Sequence, residues 1–331
     1  MSEKVNIRKL AELAGVSVAT VSRVLNGKAG VSEKTRRQVI EYMHELNYRP
    51  PVILNRGETI GLVVFPNMEI FLTDFFADLL QGLTEETFRR GQQLMLMRLN
   101  TGDLTEDIMG HYMRSHGLCG YIILGTTLTT QEAEQLAKVE VPYVVTGGAY
   151  LPENINWVGY DHIGAGRDMA RYVLSLRHRH IAAVGRTEGR PVGAAHLQGI
   201  NEELAKNGLE LWGGAPVAPH PKECRRLLEE SQATGKPTTI IGLSQEDGLL
   251  IVSELTKMGL RLPTDISVAA FGDYHSIQWV EPKLTTMRVP TGEIGSKSIN
   301  LLLDLAAGWS ERPVRHQFSP QLVLRDSVGA I

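Results

Sequence analysis

Cysteine is scarce: Cys119 and Cys224 are the only two in 331 residues. They lie far apart with no partner pattern, which excludes a disulfide framework and a paired-cysteine zinc site and fits a reducing compartment. No apolar run is long enough to span a bilayer. Met1 to Arg8 lack the apolar stretch of a secretion signal. A cytoplasmic protein with no membrane partner is expected. There is no repeat of 20–50 residues and no low-complexity tract. The phosphate-binding Gly-x-x-x-x-Gly-Lys-Ser/Thr, the Gly-x-Ser-x-Gly elbow and the His-Glu-x-x-His zinc helix are also missing. Gly164-x-Gly166 lacks the third glycine and the downstream acid of a dinucleotide fingerprint. His178-Arg179-His180 is poorly spaced for a metal, so a structural or surface role is expected. These absences point away from an enzyme and predict no cofactor and no metal.

What is present is ordinary globular material, 43% hydrophobic and 21% charged, and more than one small domain needs. A chain of this size buries a large core without cross-links. Its charge is uneven. Residues 1–50 carry nine Lys/Arg against five Glu, or +4, which leaves −7 for the rest of a chain of net charge −3. A basic head on an acidic body suits a polyanion partner for the head alone, although charge by itself fits a solvated surface equally well.

The head reads as three short helices. Asn6 can cap a helix from about Ile7 to Ala14, with Leu10, Ala11 and Ala14 on its inner face. Gly15 can take the positive φ that ends it, and Ser17 can cap a second helix from about Val18 to Leu25. Val21, Val24 and Leu25 face inward there. Ser32 caps a third helix to about Leu46, with Val39, Met43 and Leu46 on one stripe. Three helices with a glycine turn between the first two form a helix-turn-helix. The inward valines of the second helix turn Val18, Ala19, Ser22 and Arg23 outward near the end that enters a major groove. Arg23 can grip guanine O6 and N7 with two donors, and Val18 and Ala19 suit a thymine methyl. Thr20, Ser22 and Asn26 suit phosphates. A protein-binding bundle is the bland alternative.

The run Leu10-Ala11-Glu12-Leu13-Ala14-Gly15-Val16-Ser17-Val18-Ala19-Thr20-Val21-Ser22-Arg23-Val24-Leu25-Asn26 resembles the headpiece of the lactose/galactose repressor (LacI/GalR) family of transcriptional regulators. Val31-Ser32-x-x-Thr35-Arg36 and Leu46-Asn47-Tyr48-x-Pro50 continue the match at the right spacing. The resemblance implies that Val18, Ala19 and Arg23 read bases. It also implies that Asn6, Ser17, Thr20, Ser22, Asn26, Ser32, Thr35 and Tyr48 position the phosphate backbone of double-stranded DNA at a palindromic operator. Lys9 stands where members usually carry Asp.

The junction departs from the family pattern. Members follow Tyr-x-Pro with a hinge helix whose leucine wedges into the minor groove and kinks the duplex. Here Tyr48-Arg49-Pro50-Pro51-Val52-Ile53-Leu54-Asn55-Arg56-Gly57 is several residues shorter, and Gly57 falls at the wedge position. One reading is a short hinge at Val52–Arg56, with Leu54 or Ile53 as wedge. The other is a plain linker and weak bending, which Pro50-Pro51 and Gly57 favour because both oppose helix.

From residue 60 apolar runs alternate with amphipathic stretches. The runs are Ile60–Phe65, Leu94–Leu99, Tyr121–Leu124, Tyr143–Val145, Ile181–Val184, Thr239–Leu243 and Ile266–Phe271. Between them lie Phe75–Arg90, Arg167–Leu176, Gln198–Asn207 and Gly248–Met258. This βαβα order predicts parallel sheets covered on both faces. The resemblance implies a two-lobed, type I periplasmic-binding-protein-like effector domain behind an all-α headpiece. The expected division is a headpiece over 1–50, a linker over 51–59 and a ligand-binding and dimerisation domain over 60–331. Its N-lobe would cover about 60–159 and 291–318, and its C-lobe about 160–289 and 320–331. Crossovers are expected near Gly159–Asp161, Val289–Thr291 and Phe318–Pro320. The chain has no heptad tail, so a homodimer is expected.

The interlobe cleft is expected to hold a carbohydrate-related small-molecule effector, faced by Phe75, Phe76, Thr146, Asp161, His196, Ser244, Gln245 and Asp273. Several of these are unorthodox. His196 replaces the family's Arg, Ser244-Gln245 its Asn-Asp pair, and Gly272 its next Asp. Either the polyol readers have weakened, or a one-residue slip puts Glu246, Asp247 and Asp273 in the same roles. A repressor of catabolic genes is the leading reading. A regulator that is ligand-blind or controlled by a protein partner is the alternative, and a solute-binding protein or enzyme on the same body is a distant third.

Overall fold

The computed structural model describes residues 7–25, 30–45, 59–66, 73–232, 237–310 and 313–331. The head forms α1 (Ile7–Leu13), α2 (Val18–Leu25) and α3 (Glu33–Glu45). Leu10, Ala11, Ala14, Val21, Val24, Val39 and Met43 close one small core, the stripe that the helical spacing predicts. Gly15 turns the chain after α1 at φ +61°. Ser17 Oγ accepts from Thr20 N at 3.0 Å and Ser32 Oγ accepts from Thr35 N at 3.2 Å. Two Ser-x-x-Thr caps therefore start the second and third helices.

The body runs β1 (Thr59–Val64), α4 (Asp74–Arg89), β2 (Gln93–Arg98), α5 (Glu106–His116), β3 (Leu118–Leu124), α6 (Thr130–Leu136), β4 (Tyr143–Thr146), β5 (Trp157–Tyr160) and α7 (His162–Ser175). It continues with β6 (Ile181–Val184), α8 (Pro191–Lys206), α9 (Pro221–Glu230), β7 (Thr239–Gly242), α10 (Gln245–Met258), β8 (Ser267–Phe271), β9 (Thr285–Arg288), α11 (Thr291–Ala307), β10 (Arg315–Phe318) and β11 (Gln321–Val323). The strands sort into two sheets, β10-β5-β4-β3-β1-β2 and β11-β9-β8-β7-β6. The chain changes sheet after β5, after β9 and after β10. Pairing is parallel apart from β11, which returns antiparallel along β9 with Gln321 opposite Arg288. That departs from the all-parallel expectation: β11 enters the second sheet only two residues, Ser319 and Pro320, after β10 leaves the first.

Strand β3 shows why these runs are strands. All seven residues of Leu-Cys-Gly-Tyr-Ile-Ile-Leu are buried. A central parallel strand covered by helices on both faces has no solvent side, so its apolar run is continuous rather than alternating. Burying Ile122, Ile123 and Leu124 contributes about 1.5–3 kcal/mol each.

Two helix pairs need glycine at their contact. A Cβ on Gly199 of α8 would collide with the Ile163 carbonyl of α7, and one on Gly82 of α4 would collide with the Gly292 carbonyl at the start of α11. The first contact brings the α7 N-terminus against α8, and the second seats α11 against α4. Beyond the C-terminal end of α11, Trp309 packs against the head's core. Among the described residues no helix is long and apolar enough to cross a membrane.

Candidate functional site

Two surfaces gather the residues that the sequence singled out. The first is the outer face of α2. Val21 and Val24 are buried, whereas Val18 is 42% exposed, and Ala19 and Arg23 are exposed beside it. A helix turns about 100° per residue, so positions 18, 19, 22 and 23 share the side away from the two valines. Ser17 Oγ and Thr20 Oγ1 are paired at 2.8 Å, and so are Ser32 Oγ and Thr35 Oγ1. These four hydroxyls ring the N-termini of α2 and α3, where unpaired backbone N–H groups favour an anion. Asn6, Asn26, Tyr48, Leu54 and the hinge over 51–58 lie outside the described residues.

The second surface is the cleft at the carboxyl ends of both sheets, where open α/β folds bind ligands. From the N-lobe come Thr126 beyond β3, the Gly147-Gly148 turn beyond β4, Asp161 and His162 beyond β5, and Asp74 and Phe75 at the start of α4. From the C-lobe come Arg186 beyond β6, Ser244 and Gln245 beyond β7, and Asp273 to Ser276 beyond β8.

A direct bridge joins the lobes. Asp74 Oδ2 accepts from Gln245 Nε2 at 3.0 Å and from Ser276 N at 2.8 Å. The Gln245 amide is fully used: Nε2 also donates to Ser276 Oγ at 2.8 Å, and Oε1 accepts from Tyr274 N at 2.7 Å. Burial pushes the Asp74 carboxyl up, but the hydrogen bonds from Ser276 and Gln245 outweigh it and hold the group below its ordinary value. The Phe75 ring meets Tyr274 edge-on at 6.0 Å. Tyr150, at φ +58°, donates its hydroxyl to Gln198 Oε1 of α8 at 2.8 Å.

The other residues expected in the cleft are committed in different ways. Asp273 is held by Arg288 at 2.5 Å and Arg325 at 2.7 Å, and it accepts from Thr286 Oγ1 at 2.9 Å. Thr146 is fully buried and donates to Ser298 Oγ of α11 at 2.9 Å. Asp161 caps α7 by accepting from Gly164 N at 2.7 Å. Ser244 caps α10, accepting from Asp247 N at 3.2 Å and donating to Asp247 Oδ2 at 2.8 Å. Phe76 is buried in the N-lobe core. Burial raises Asp247 to about 6 despite that hydrogen bond.

His196 lies face to face with Phe271, 3.9 Å between ring centres. Its Nδ1 is 3.0 Å from the Leu243 carbonyl. A carbonyl only accepts, so Nδ1 carries the proton and Nε2 is the lone pair, which accepts from Tyr160 Oη at 3.1 Å. Burial lowers its pKa to about 4. Asp74, Thr126, Tyr160, His162, Tyr274 and Ser276 escaped the sequence reading, which followed family positions. Asp74 and His162, each beside a residue that the reading did name, were the legible hints.

His178 is buried by structure: Nε2 donates to the Gly329 carbonyl at 2.8 Å and Nδ1 accepts from Thr238 Oγ1 at 2.9 Å. Both cysteines are buried and unpaired. Among the described residues no group of three His, Cys, Asp or Glu could hold a metal.

Residues 6–51 match the family model of bacterial regulatory proteins, lacI family. Residues 170–328 match that of a periplasmic binding protein-like domain. The chain is similar to the HTH-type transcriptional regulator reg1 of Streptomyces lividans, at 30% identity over 97% of this chain and 96% of the relative. It is also similar to the HTH-type transcriptional regulator CelR of Thermobifida fusca, at 29% identity over 97% of each chain. A solved transcriptional regulator CelR–cellobiose complex superposes with a TM-score of 0.69 at 28% identity, covering 98% of this chain and 99% of that one.

Proposed function

The chain belongs to the lacI family of bacterial regulatory proteins, and from that premise we propose a homodimeric repressor of catabolic genes that reads a palindromic operator through α2 and changes its grip when a small ligand enters the interlobe cleft. As a member of the family it is a DNA-binding transcriptional regulator. The observation that carries the rest is the α2 face: a bidentate donor, Arg23, beside two small apolar contacts, Val18 and Ala19, on a helix held from behind by Val21 and Val24. In this reading Arg23 pairs with a guanine edge and the apolar pair meets thymine methyls. Ser17, Thr20, Ser22, Ser32 and Thr35, joined by Asn6, Asn26 and Tyr48, hold phosphates and set register. Leu54 is the candidate minor-groove wedge.

A second copy would cover apolar surface that a monomer leaves wet. Phe88 is 87% exposed, Leu96 on the edge strand β2 is 55% exposed, and Trp279 is 75% exposed. A two-fold axis then sets two half-sites about one helical turn apart.

The ligand reading draws support from the CelR–cellobiose complex and from the cleft's position. Gln245 and Asp74 act in it as a latch between lobes, which a ligand strengthens or displaces. Asp273 and Asp161 act as supports for the loops that carry the site. Helix α11 supplies a route to the head: it starts at the cleft with Thr291, spans about 25 Å at 1.5 Å per residue, and is followed by Trp309 on the head's core. Coupling of about 1–3 kcal/mol between ligand and operator is sufficient for a switch.

The test is selection of duplexes from a random pool by the full-length chain, repeated with Arg23→Ala. The expected result is a symmetric motif that loses preference at one base position per half-site in the variant. An unchanged motif removes Arg23 from base reading, and no enrichment at all removes operator recognition.

A further inference from the structure

Helix α11 ends on a fixed geometry. Gly308 takes φ +72°. Its N–H reaches the Leu305 carbonyl at 3.0 Å, and the Trp309 N–H reaches back to the Asp304 carbonyl at 2.9 Å. This is the paired closure in which a left-handed glycine satisfies the last carbonyls of a helix. It sets the backbone of Trp309 and so the point from which the indole projects. The helix itself belongs to the N-lobe. Ile299, Leu301, Leu302 and Leu305 are buried, with Leu302 against Gly120 of β3. Ser298 Oγ accepts from Thr146 Oγ1 at 2.9 Å, and Ser296 Oγ donates to the Gly82 carbonyl at 3.3 Å. A side chain on Gly295 would sit 2.9 Å from the Leu79 carbonyl, so α11 and α4 meet backbone to backbone. Trp309 is therefore a post on a packed lobe, not a residue of a loose turn.

The indole is half-buried and packs on the small core of the head, which Val16, Val31, Ile40 and Tyr42 also cover. Among the described residues it is the only member of that group from outside the head. The contact leaves the reading face open: Val18 is 42% exposed, and Ser17, Ala19, Arg23 and Ser32 are exposed as well. A docked head can thus still lie on DNA. The chain's own connection gives little orientation, because the family's hinge sequence is shortened here and carries Pro50-Pro51 and Gly57, which oppose helix.

Resting on the dimeric operator reading above, we propose that Trp309 is the docking post that fixes each head on its N-lobe, and that this contact sets which separation of half-sites the protein accepts. Two docked heads present their α2 helices at one distance and one relative rotation. Heads tethered by a linker alone present many, and lose that freedom only on binding. Trp309 touches no base in this role; it is a positioning residue for the helix that does.

The test uses full-length wild type, Trp309→Ala and Trp309→Phe, and duplexes carrying the two selected half-sites with their separation changed by one or two base pairs. Each added pair turns one half-site by about 35° and moves it about 3.4 Å. Wild type is expected to lose tenfold or more in affinity away from its preferred separation. Trp309→Ala is expected to spread threefold or less across the separations, with the bases preferred inside each half-site unchanged, and Trp309→Phe, which keeps an aromatic ring, to retain most of the discrimination. A merely structural tryptophan would weaken every duplex by the same factor and leave the discrimination intact, which overturns the proposal. The emission of wild type minus that of Trp309→Phe isolates the indole and stands whether or not the alanine variant folds: shielding from iodide is expected, and a fully quenched indole overturns the docking. A wild type that selects a half-site but binds all separations alike overturns the post and leaves operator reading in place. A wild type that selects no motif overturns both.

Discussion

Asp74 of the N-lobe and Gln245 of the C-lobe are joined by a 3.0 Å hydrogen bond that closes the cleft from one side to the other. The same carboxylate oxygen accepts the Ser276 amide, so two donors of the C-lobe share one acceptor of the N-lobe. Asp74→Ala removes the acceptor of the Ser276 amide and of one of the two Gln245 Nε2 bonds, at a cost of about 2 kcal/mol. The expected outcome is a lower Tm together with a larger radius of gyration by small-angle scattering, as the lobes part. Unchanged values of both would mean that the bridge does not hold the lobes.

Asp273 makes a different prediction from the one its place in the sequence invites. Its carboxylate is 2% exposed and faces Arg325 at 19% and Arg288 at 50%. Asp273→Ala strands buried positive charge and is expected to cost about 3 kcal/mol in denaturant unfolding. Arg288→Ala, which removes the wetter partner, is expected to cost about 1 kcal/mol. Equal losses would contradict the ranking.

The buried imidazole of His196 predicts acid sensitivity. Its folded pKa of about 4 lies below the ordinary 6.5. The neutral ring therefore contributes stability that is present above pH 6.5 and is lost as pH falls from 6.5 to 4, up to about 3 kcal/mol. Asp247 works in the opposite sense. Its folded pKa of about 6 lies above 3.8, so stability declines as pH rises from 3.8 to 6. Asp247→Asn is expected to be stabler than wild type above pH 6 and to lose more on acidification. In urea melts from pH 7.5 to 4.5, parallel curves for wild type and Asp247→Asn would contradict the Asp247 assignment, and no loss of stability in Asp247→Asn between pH 6.5 and 4.5 would contradict that of His196.

Much of the architecture was legible, and particular residues show why. The β3 run Tyr121–Leu124 is so apolar that only a buried strand explains it, and Ser17 and Ser32 announce helix starts through their own hydroxyls. Strands β10 and β11 escaped as runs because they are short and only partly buried, and β5 and β9 because Gly159 and the pair Thr285-Thr286 interrupt what would otherwise be short apolar runs. The cleft was legible as a place but not as a list. Family positions pointed to Gln245 and Asp273, but whether a carboxylate faces a ligand or an arginine depends on partners distant in sequence, such as Arg325. Thr126 and His162 carry no local pattern; only the fold sets them at the cleft.

Phe88 tests the dimer. Hiding its side chain against a second copy contributes about 2 kcal/mol, so Phe88→Glu is expected to raise the dimer Kd by at least about 30-fold in sedimentation equilibrium. An unchanged Kd would move the interface elsewhere.

The most direct test of the account is a titration of the selected duplex with full-length protein, beside a duplex in which one half-site is scrambled. The account predicts two chains per intact duplex, and affinity lower by about 100-fold or more on the scrambled one, since several base contacts at about 1–3 kcal/mol each are lost. Equal affinity for the two duplexes would contradict a dimer that reads both half-sites through α2.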